Sequence, residues 1–292
     1  MRFAGVYTAL VTPFSNGAVD FTKLRELVEL QIAGGVAGIV PMGTTGESPT
    51  LSYEEHLRVI EITVETAAGR CQIVAGTGAN STQEAVEMSI KARNLGVDAT
   101  LQVTPYYNKP TQEGIYRHFM TVAEESALPV MLYNVPGRSG VPIDVATVAR
   151  LSKAAPELIR AIKEAAGSAE RVSQVLDACE IDVLSGDDAL TLPMMALGAT
   201  GVVSVASNLI PAEMSELVKL FANGEVDKAQ QLNRKLYPLF RDQFIETNPI
   251  PIKAAMAMAG MINEEYRLPL CELNKANRDK LEATLKAMNI IK

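Results

Sequence analysis

The sequence predicts an α/β fold, a closed (β/α)8 TIM barrel with a C-terminal helical appendage. Short apolar or β-branched runs recur eight times through the first two thirds of the chain, and each is followed by an amphipathic helical pattern. The residues just after these runs are mostly Gly, Thr, Ser, Tyr and Asn, with one Lys, rather than further aliphatics. Strands separated by helices pair in parallel through right-handed crossovers. Eight such units close into a barrel whose reactions take place at the carboxyl ends of its strands. The competing fold is an open doubly wound sheet. The count of eight runs, and the absence of a Gly-rich dinucleotide fingerprint after the first, favour the barrel.

The predicted strands, in order, are 5–11, 38–41, 72–75, 99–103, 130–133, 158–162, 182–184 and 201–205. Between them, stretches such as 22–33, 53–68, 82–94 and 112–125 carry apolar residues at three- and four-residue spacing, the period of a half-buried helix. Ser52, Ser81 and Asp144 stand where helix N-caps belong. From Glu225 the alternation stops, and 229–244, 251–261 and 274–289 read as helices, with Pro249 and Pro251 near a helix start. The predicted division is a catalytic barrel over 1–224 and a helical region over 225–292, packed on the barrel through its apolar faces.

Composition removes several classes of function. The chain has 292 residues, 48% hydrophobic and 21% charged, with a formal net charge of -7 and no basic run, so a nucleic-acid surface has no electrostatic support. No apolar segment reaches membrane-spanning length, and Met1-Arg2-Phe3-Ala4-Gly5 runs into the first strand rather than forming a signal peptide. Cys71, Cys179 and Cys271 are far apart, a pattern that suits free thiols in a reducing cytoplasm. His56 and His118 are the only histidines and have no acidic cluster at metal spacing, which argues against a zinc-dependent aldol mechanism.

The sixth run ends in the chemically distinctive group. In Leu158-Ile159-Arg160-Ala161-Ile162-Lys163-Glu164, strict alternation places Ile159, Ala161 and Lys163 on one face and Arg160 and Ile162 on the other. An ammonium among aliphatic side chains is poorly solvated, which favours the neutral amine, the form that makes a Schiff base with a carbonyl. The plain alternative is a lysine where a strand emerges into water. Arg160 is out of place on a face that should meet helices, unless it lies low enough on the strand to reach solvent.

Other loops add weaker signals. Gly43-Thr44-Thr45-Gly46-Glu47-Ser48 offers successive amides and hydroxyls to an anion, and lacks the lysine that ends a nucleotide-phosphate loop. Taken alone it is a turn, as is Gly76-Thr77-Gly78. Tyr107 and Tyr133 end neighbouring strands, and Thr44 is placed to link their phenols in a proton relay; packed rings with local hydrogen bonds are the plainer use. Arg138, in a loop bounded by Pro136, Gly137 and Gly140, has the planar guanidinium that takes a carboxylate with two hydrogen bonds, though a lone loop arginine is ordinarily only solvated. Each signal is modest; their order along one predicted rim is not.

At these residues the sequence resembles the dihydrodipicolinate synthase family of pyruvate-dependent class I aldolases. The motifs are GTTGES at 43–48, TPYYN at 104–108, YNVPGR at 133–138, IKEA at 162–165 and SGDD at 185–188, and the likeness runs from the first strand to Asn248-Pro249-Ile250-Pro251. The resemblance implies that Lys163 forms a Schiff base with pyruvate and that Tyr133, Thr44 and Tyr107 are the proton relay, Tyr107 reaching in from a neighbouring subunit. It implies that Thr45, Val203 and Gly186 line the pyruvate site, and that Arg138 holds the carboxylate of L-aspartate 4-semialdehyde. It further implies no metal or organic cofactor and a homotetramer built from tight dimers. An L-lysine effector site of Ser48, His56, Asn80, Glu84 and Tyr106 also follows, although Pro49 and Tyr53 differ from the residues expected in lysine-inhibited members. Two other functions fit parts of the pattern. A retro-aldol lyase acting on a sugar acid such as N-acetylneuraminate would keep Lys163 and Tyr133 but has no use for Arg138. A catalytically silent barrel used for binding would not need all five of Lys163, Tyr133, Thr44, Tyr107 and Arg138.

Overall fold

The computed structural model describes residues 1–292. Eight parallel strands form a closed barrel in chain order: β1 (Gly5–Ala9), β2 (Gly38–Val40), β3 (Gln72–Gly76), β4 (Ala99–Val103), β5 (Val130–Asn134), β6 (Ile159–Glu164), β7 (Asp182–Ser185) and β8 (Gly201–Ser204). A hairpin of Phe14–Ser15 with Ala18–Val19, not anticipated from the sequence, follows β1. The helices are α1 (Phe21–Ala33), α2 (Tyr53–Ala67), α3 (Thr82–Asn94), α4 (Gln112–Ser126), α5 (Val145–Ala154), α6 (Glu170–Ala178), α7 (Thr191–Ala196), α8 (Pro211–Ala222), α9 (Val226–Asp242), α10 (Ile250–Met258) and α11 (Lys275–Ala287). None is long and apolar enough to cross a membrane.

Contacts divide the chain into two compact units, Met1–Gly5 with Gln72–Val203, and Val6–Cys71 with Ser204–Lys292. The first holds β3 to β7, α3 to α7 and most of β8. Its main apolar cluster is the layer between strands and helices: Val130, Leu132, Ile159, Ile162 and Val183 against Ile115 and Phe119 of α4, Val148 and Leu151 of α5, and Val172 and Val175 of α6. Ile159 and Ile162 both belong to this layer, which strict alternation forbids. The cause is a register shift: Val130 pairs with Ile159, but Met131 pairs with Ala161, so Arg160 is an extra residue. Ile159 therefore does not share the face of Lys163. Arg160 sits at the amino end of the strand, where its guanidinium donates to the carbonyls of Pro156 and Met1 at 3.1 and 2.7 Å. Its side chain stays 29% exposed, as a charge at that height requires.

The second unit holds most of β1, then β2, α1, α2 and α8 to α11. Fully buried Asn208 stitches its two segments together, accepting from Val11 N at 3.0 Å and donating to Ala9 O at 2.8 Å, so the last carbonyl of β1 and an amide just beyond the strand are satisfied. Gly34 closes α1 against the start of α8; a Cβ there would lie 2.5 Å from Pro211 Cβ. Ser52 forms a full capping box with Glu55 on α2. Ser81 caps α3. Asp144 occupies the N-cap of α5 without a side-chain cap bond; its N–H instead donates to Gln112 Oε1 at 3.0 Å.

Candidate active site

Lys163 and Tyr133 are paired residues of β6 and β5, close to their carboxyl ends. Lys163 is only 5% exposed, and its Nζ lies 4.2 Å from the centroid of the Tyr133 ring, which is itself buried. The lysine is thus inside the fold, not at a solvated strand end. Gly186, one residue beyond β7, leaves the room this requires. A Cβ at Gly186 would stand 3.1 Å from Lys163 Cε and 2.6 Å from Ala165 Cβ. Its N–H donates to Glu164 O at 2.8 Å, which keeps that backbone close to the lysine. Val203 is fully buried on β8, where Ser204 Oγ accepts from Ser207 N at 2.9 Å.

The loops after β5 and β6 are fastened to each other by groups that the sequence did not single out. Glu164, fully buried, accepts from Asn134 Nδ2 at 2.8 and 2.9 Å, from Ala166 N at 3.0 Å and from Arg171 Nε at 3.3 Å. Asn134 Oδ1 accepts from Ile143 N at 3.0 Å, and Arg171 Nη2 reaches Ile143 O at 2.8 Å. A buried carboxylate with three donors, one of them a guanidinium, is satisfied, so this cluster is a clamp, not a free acid. It holds the strand that carries Lys163 to the loop that carries Arg138. The signal was present, since Asn134 and Glu164 each follow a candidate, but their pairing needs the register.

Arg138 lies exposed in the turn Pro136–Ser139, whose backbone closes through Arg138 N and Ser139 N onto Val135 O at 2.9 and 3.0 Å. Gly140 ends the turn at φ 76°, and a Cβ there would also meet Lys109 Cε at 2.8 Å. Tyr107 is 90% exposed at φ 71°, an uncommon backbone for a tyrosine. Within one chain its phenol takes no part in the buried cluster around Lys163. The loop that carries it is ordered by Asn108 Nδ2 donating to Asn80 O at 2.9 Å and Asn80 Nδ2 donating to Tyr106 O at 3.2 Å.

In the second unit, the loop after β2 folds as two short 3-10 turns, Thr44–Gly46 and Ser48–Thr50, joined at Glu47. Thr45 is buried and accepts from Asn248 Nδ2 at 3.0 Å. Thr44 is half-buried at the start of the first turn. Thr12 Oγ1 donates to Gly46 O at 2.6 Å, and a Cβ on Gly46 would press on Leu10 O at 3.2 Å.

The five effector-site candidates divide between the units. Asn80, Glu84 and Tyr106 come together: besides the Asn80–Tyr106 bond, burial and then the neighbouring Glu84 charge push the Tyr106 phenol up. Ser48 opens the second 3-10 turn and His56 lies half-buried on α2.

The family model described as the dihydrodipicolinate synthetase family matches residues 2–288. The 4-hydroxy-tetrahydrodipicolinate synthase of Geotalea daltonii is 54% identical over 291 residues, covering 99% of this chain and all of that protein. The solved 4-hydroxy-tetrahydrodipicolinate synthase of Methylacidiphilum fumariolicum SolV superposes with a TM-score of 0.97 at 51% identity, covering 99% of this chain and 96% of that one. A dihydrodipicolinate synthase of Cyanidioschyzon merolae, solved with lysine bound, gives a TM-score of 0.96 at 40% identity, covering 99% of each chain. The chain belongs to the dihydrodipicolinate synthetase family.

Proposed function

We propose that the protein is a 4-hydroxy-tetrahydrodipicolinate synthase, condensing pyruvate with L-aspartate 4-semialdehyde through a Schiff base on Lys163, in the route to diaminopimelate and lysine. The observation that carries this is a lysine almost wholly shielded from water at the end of β6, lying against Tyr133 and given space by Gly186. The Lys163 amine adds to the pyruvate ketone carbon, and loss of water leaves an iminium. The iminium draws electron density from the methyl group, which releases a proton to the relay of Tyr133, Thr44 and Tyr107. The enamine carbon attacks the aldehyde, whose oxygen takes a proton to become a hydroxyl. The substrate's own amine then displaces the Lys163 nitrogen and closes the ring, returning the free lysine.

Thr45 and Val203 line the pyruvate pocket, and Arg138 takes the semialdehyde carboxylate with two hydrogen bonds, a task suited to an exposed guanidinium on a short, closed turn. No metal or organic cofactor enters this chemistry. Residues 1–224 form the catalytic barrel and 225–292 the helical region. Tyr107, 90% exposed in one chain, serves the site of a neighbouring subunit in a homotetramer made of two dimers. L-Lysine acts as an effector at Ser48, His56, Asn80, Glu84 and Tyr106. The bond between Asn80 and Tyr106, and the relative solved with lysine bound, support this. Three free cysteines suit a reducing cytoplasm.

The deciding assay follows pyruvate and L-aspartate 4-semialdehyde consumption, with N-acetylneuraminate cleavage measured alongside. Turnover of the first pair alone is expected. Cleavage of the sugar acid without condensation would move the assignment to the retro-aldol lyases, and the lysine site falls if millimolar L-lysine leaves the rate unchanged.

A further inference from the structure

One buried ion pair takes no part in the Schiff-base chemistry. Glu47 and Lys253 are bonded to each other with both side chains fully shielded from water. Lys253 Nζ is 4.2 Å from the centroid of the Phe14 ring and 5.3 Å from that of Tyr266. Glu47 Oε2 also accepts from Arg267 N at 3.3 Å. Arg267 in turn forks onto Glu55 at 2.6 and 2.7 Å and donates to Thr50 O at 3.1 Å and Gly17 O at 2.9 Å. Glu47 itself is the hinge between the two 3-10 turns, at φ 56° and ψ 34°. A non-glycine residue holds this left-handed conformation only where its surroundings over-determine it. The surroundings here are α10 and the segment after it.

A second contact reaches the same loop from the same direction. Asn248, just before α10, donates through Nδ2 to Thr45 Oγ1 at 3.0 Å. A hydroxyl has one donor and two acceptor lone pairs. With a lone pair engaged by Asn248, the Thr45 hydrogen is left to point elsewhere.

We propose that Lys253 and Asn248 are positioning residues for the pyruvate-binding loop. Lys253, through Glu47, fixes where the Thr44–Gly46 turn stands, and Asn248 turns the Thr45 hydroxyl so that it donates to the pyruvate carboxylate. This rests on the assignment of Thr45 to that carboxylate. A buried ion pair exchanged for neutral groups of similar volume often costs no stability. The contribution of this pair is therefore expected in geometry, where it is measurable apart from folding.

The test uses the full-length enzyme and two kinds of variant. Asn248→Asp is nearly isosteric but reverses the bond, since the carboxylate takes the Thr45 proton; Asn248→Ala merely removes the donor. The expected result is a pyruvate KM raised about tenfold or more in Asn248→Asp, and raised less in Asn248→Ala, with the semialdehyde KM unchanged in both. A packing role predicts the reverse order, because alanine leaves a cavity and aspartate does not. The double variant Glu47→Gln/Lys253→Met removes both charges together. It should melt within a few degrees of the wild type, while pyruvate adduct formation under borohydride at subsaturating pyruvate slows about tenfold or more. Wild-type protein that forms no pyruvate adduct would sink the assigned function itself. A normal wild-type adduct, with wild-type pyruvate KM in Asn248→Asp, would overturn the positioning role alone.

Discussion

Among single residues, the proposed chemistry depends on the space left by Gly186 and on one phenol, that of Tyr133. Tyr133→Phe keeps the ring beside Lys163 but removes the phenol proposed to carry the proton, so kcat should fall by roughly 10²–10⁴ with the fold intact, as circular dichroism and steady-state kinetics would show. Gly186→Ala places a methyl group where Lys163 Cε and Ala165 Cβ already stand. Displacing the amine by a fraction of an ångström should cost about 10²-fold in kcat/KM, whereas unchanged kinetics would mean that the site has slack not visible in the packing. Lys163, Tyr133 and Gly186 were legible in the sequence because each follows or ends a strand. Two features were not. The side on which Ile159 packs depends on the extra residue Arg160, and a bulge carries no composition signal of its own. The partnership of Lys253 with Glu47 joins positions 206 residues apart, and nothing local to either marks it.

At the scale of elements, helices were read closely where capping and periodicity agree. Residues 82–94 were predicted and α3 spans Thr82–Asn94; 53–68 was predicted and α2 ends at Ala67. Helix α9 starts and stops earlier than the predicted 229–244, and it accommodates Pro238 internally, where a local rule expects a break. The contact between α3 and α4 carries a testable pH dependence. His118 of α4 is buried, with Nδ1 2.9 Å from Thr82 Oγ1, and burial pulls its pKa down from 6.5 to about 4. Unfolded chains bind a proton at this histidine between pH 6.5 and 4 while the folded chain does not. Stability should therefore fall as the pH drops through that window, by up to ~3 kcal/mol. Denaturant unfolding at pH 7 and pH 4.5 should show that loss, and His118→Gln should flatten it. An equal slope in the variant would assign the loss to other groups. A further loss belongs below pH 4. Asp242 is raised by burial but more strongly lowered by Arg241, Thr284 and Lys280, to about 2. Its contribution is present above the unfolded carboxylate range and disappears as the pH falls toward 2.

At the scale of the whole molecule, the eight-strand barrel was legible from the recurrence of strand and helix, which is a count and a period. What periodicity cannot express is which segments support which loops. Asn248, Lys253 and Arg267 lie beyond the last barrel strand yet hold the loop after β2. Assembly is the other property of this scale. If Tyr107 serves a neighbour's site, neither Tyr107→Phe nor Lys163→Ala protein is fully active alone, yet mixed subunits rebuild one complete site per mixed dimer. Random re-association of equal amounts should restore about a quarter of the sites. A mixture no more active than the sum of its parts would place Tyr107 outside the reaction.

The proposed reaction turns on Lys163 carrying the substrate as a Schiff base. Incubating the protein with pyruvate and borohydride, then mapping the peptides by mass, tests it without reference to the second substrate. One reduced pyruvate adduct per chain is expected, on Lys163 and absent from Lys163→Ala. Folded wild-type protein with no adduct, or with the adduct on another lysine, would contradict it.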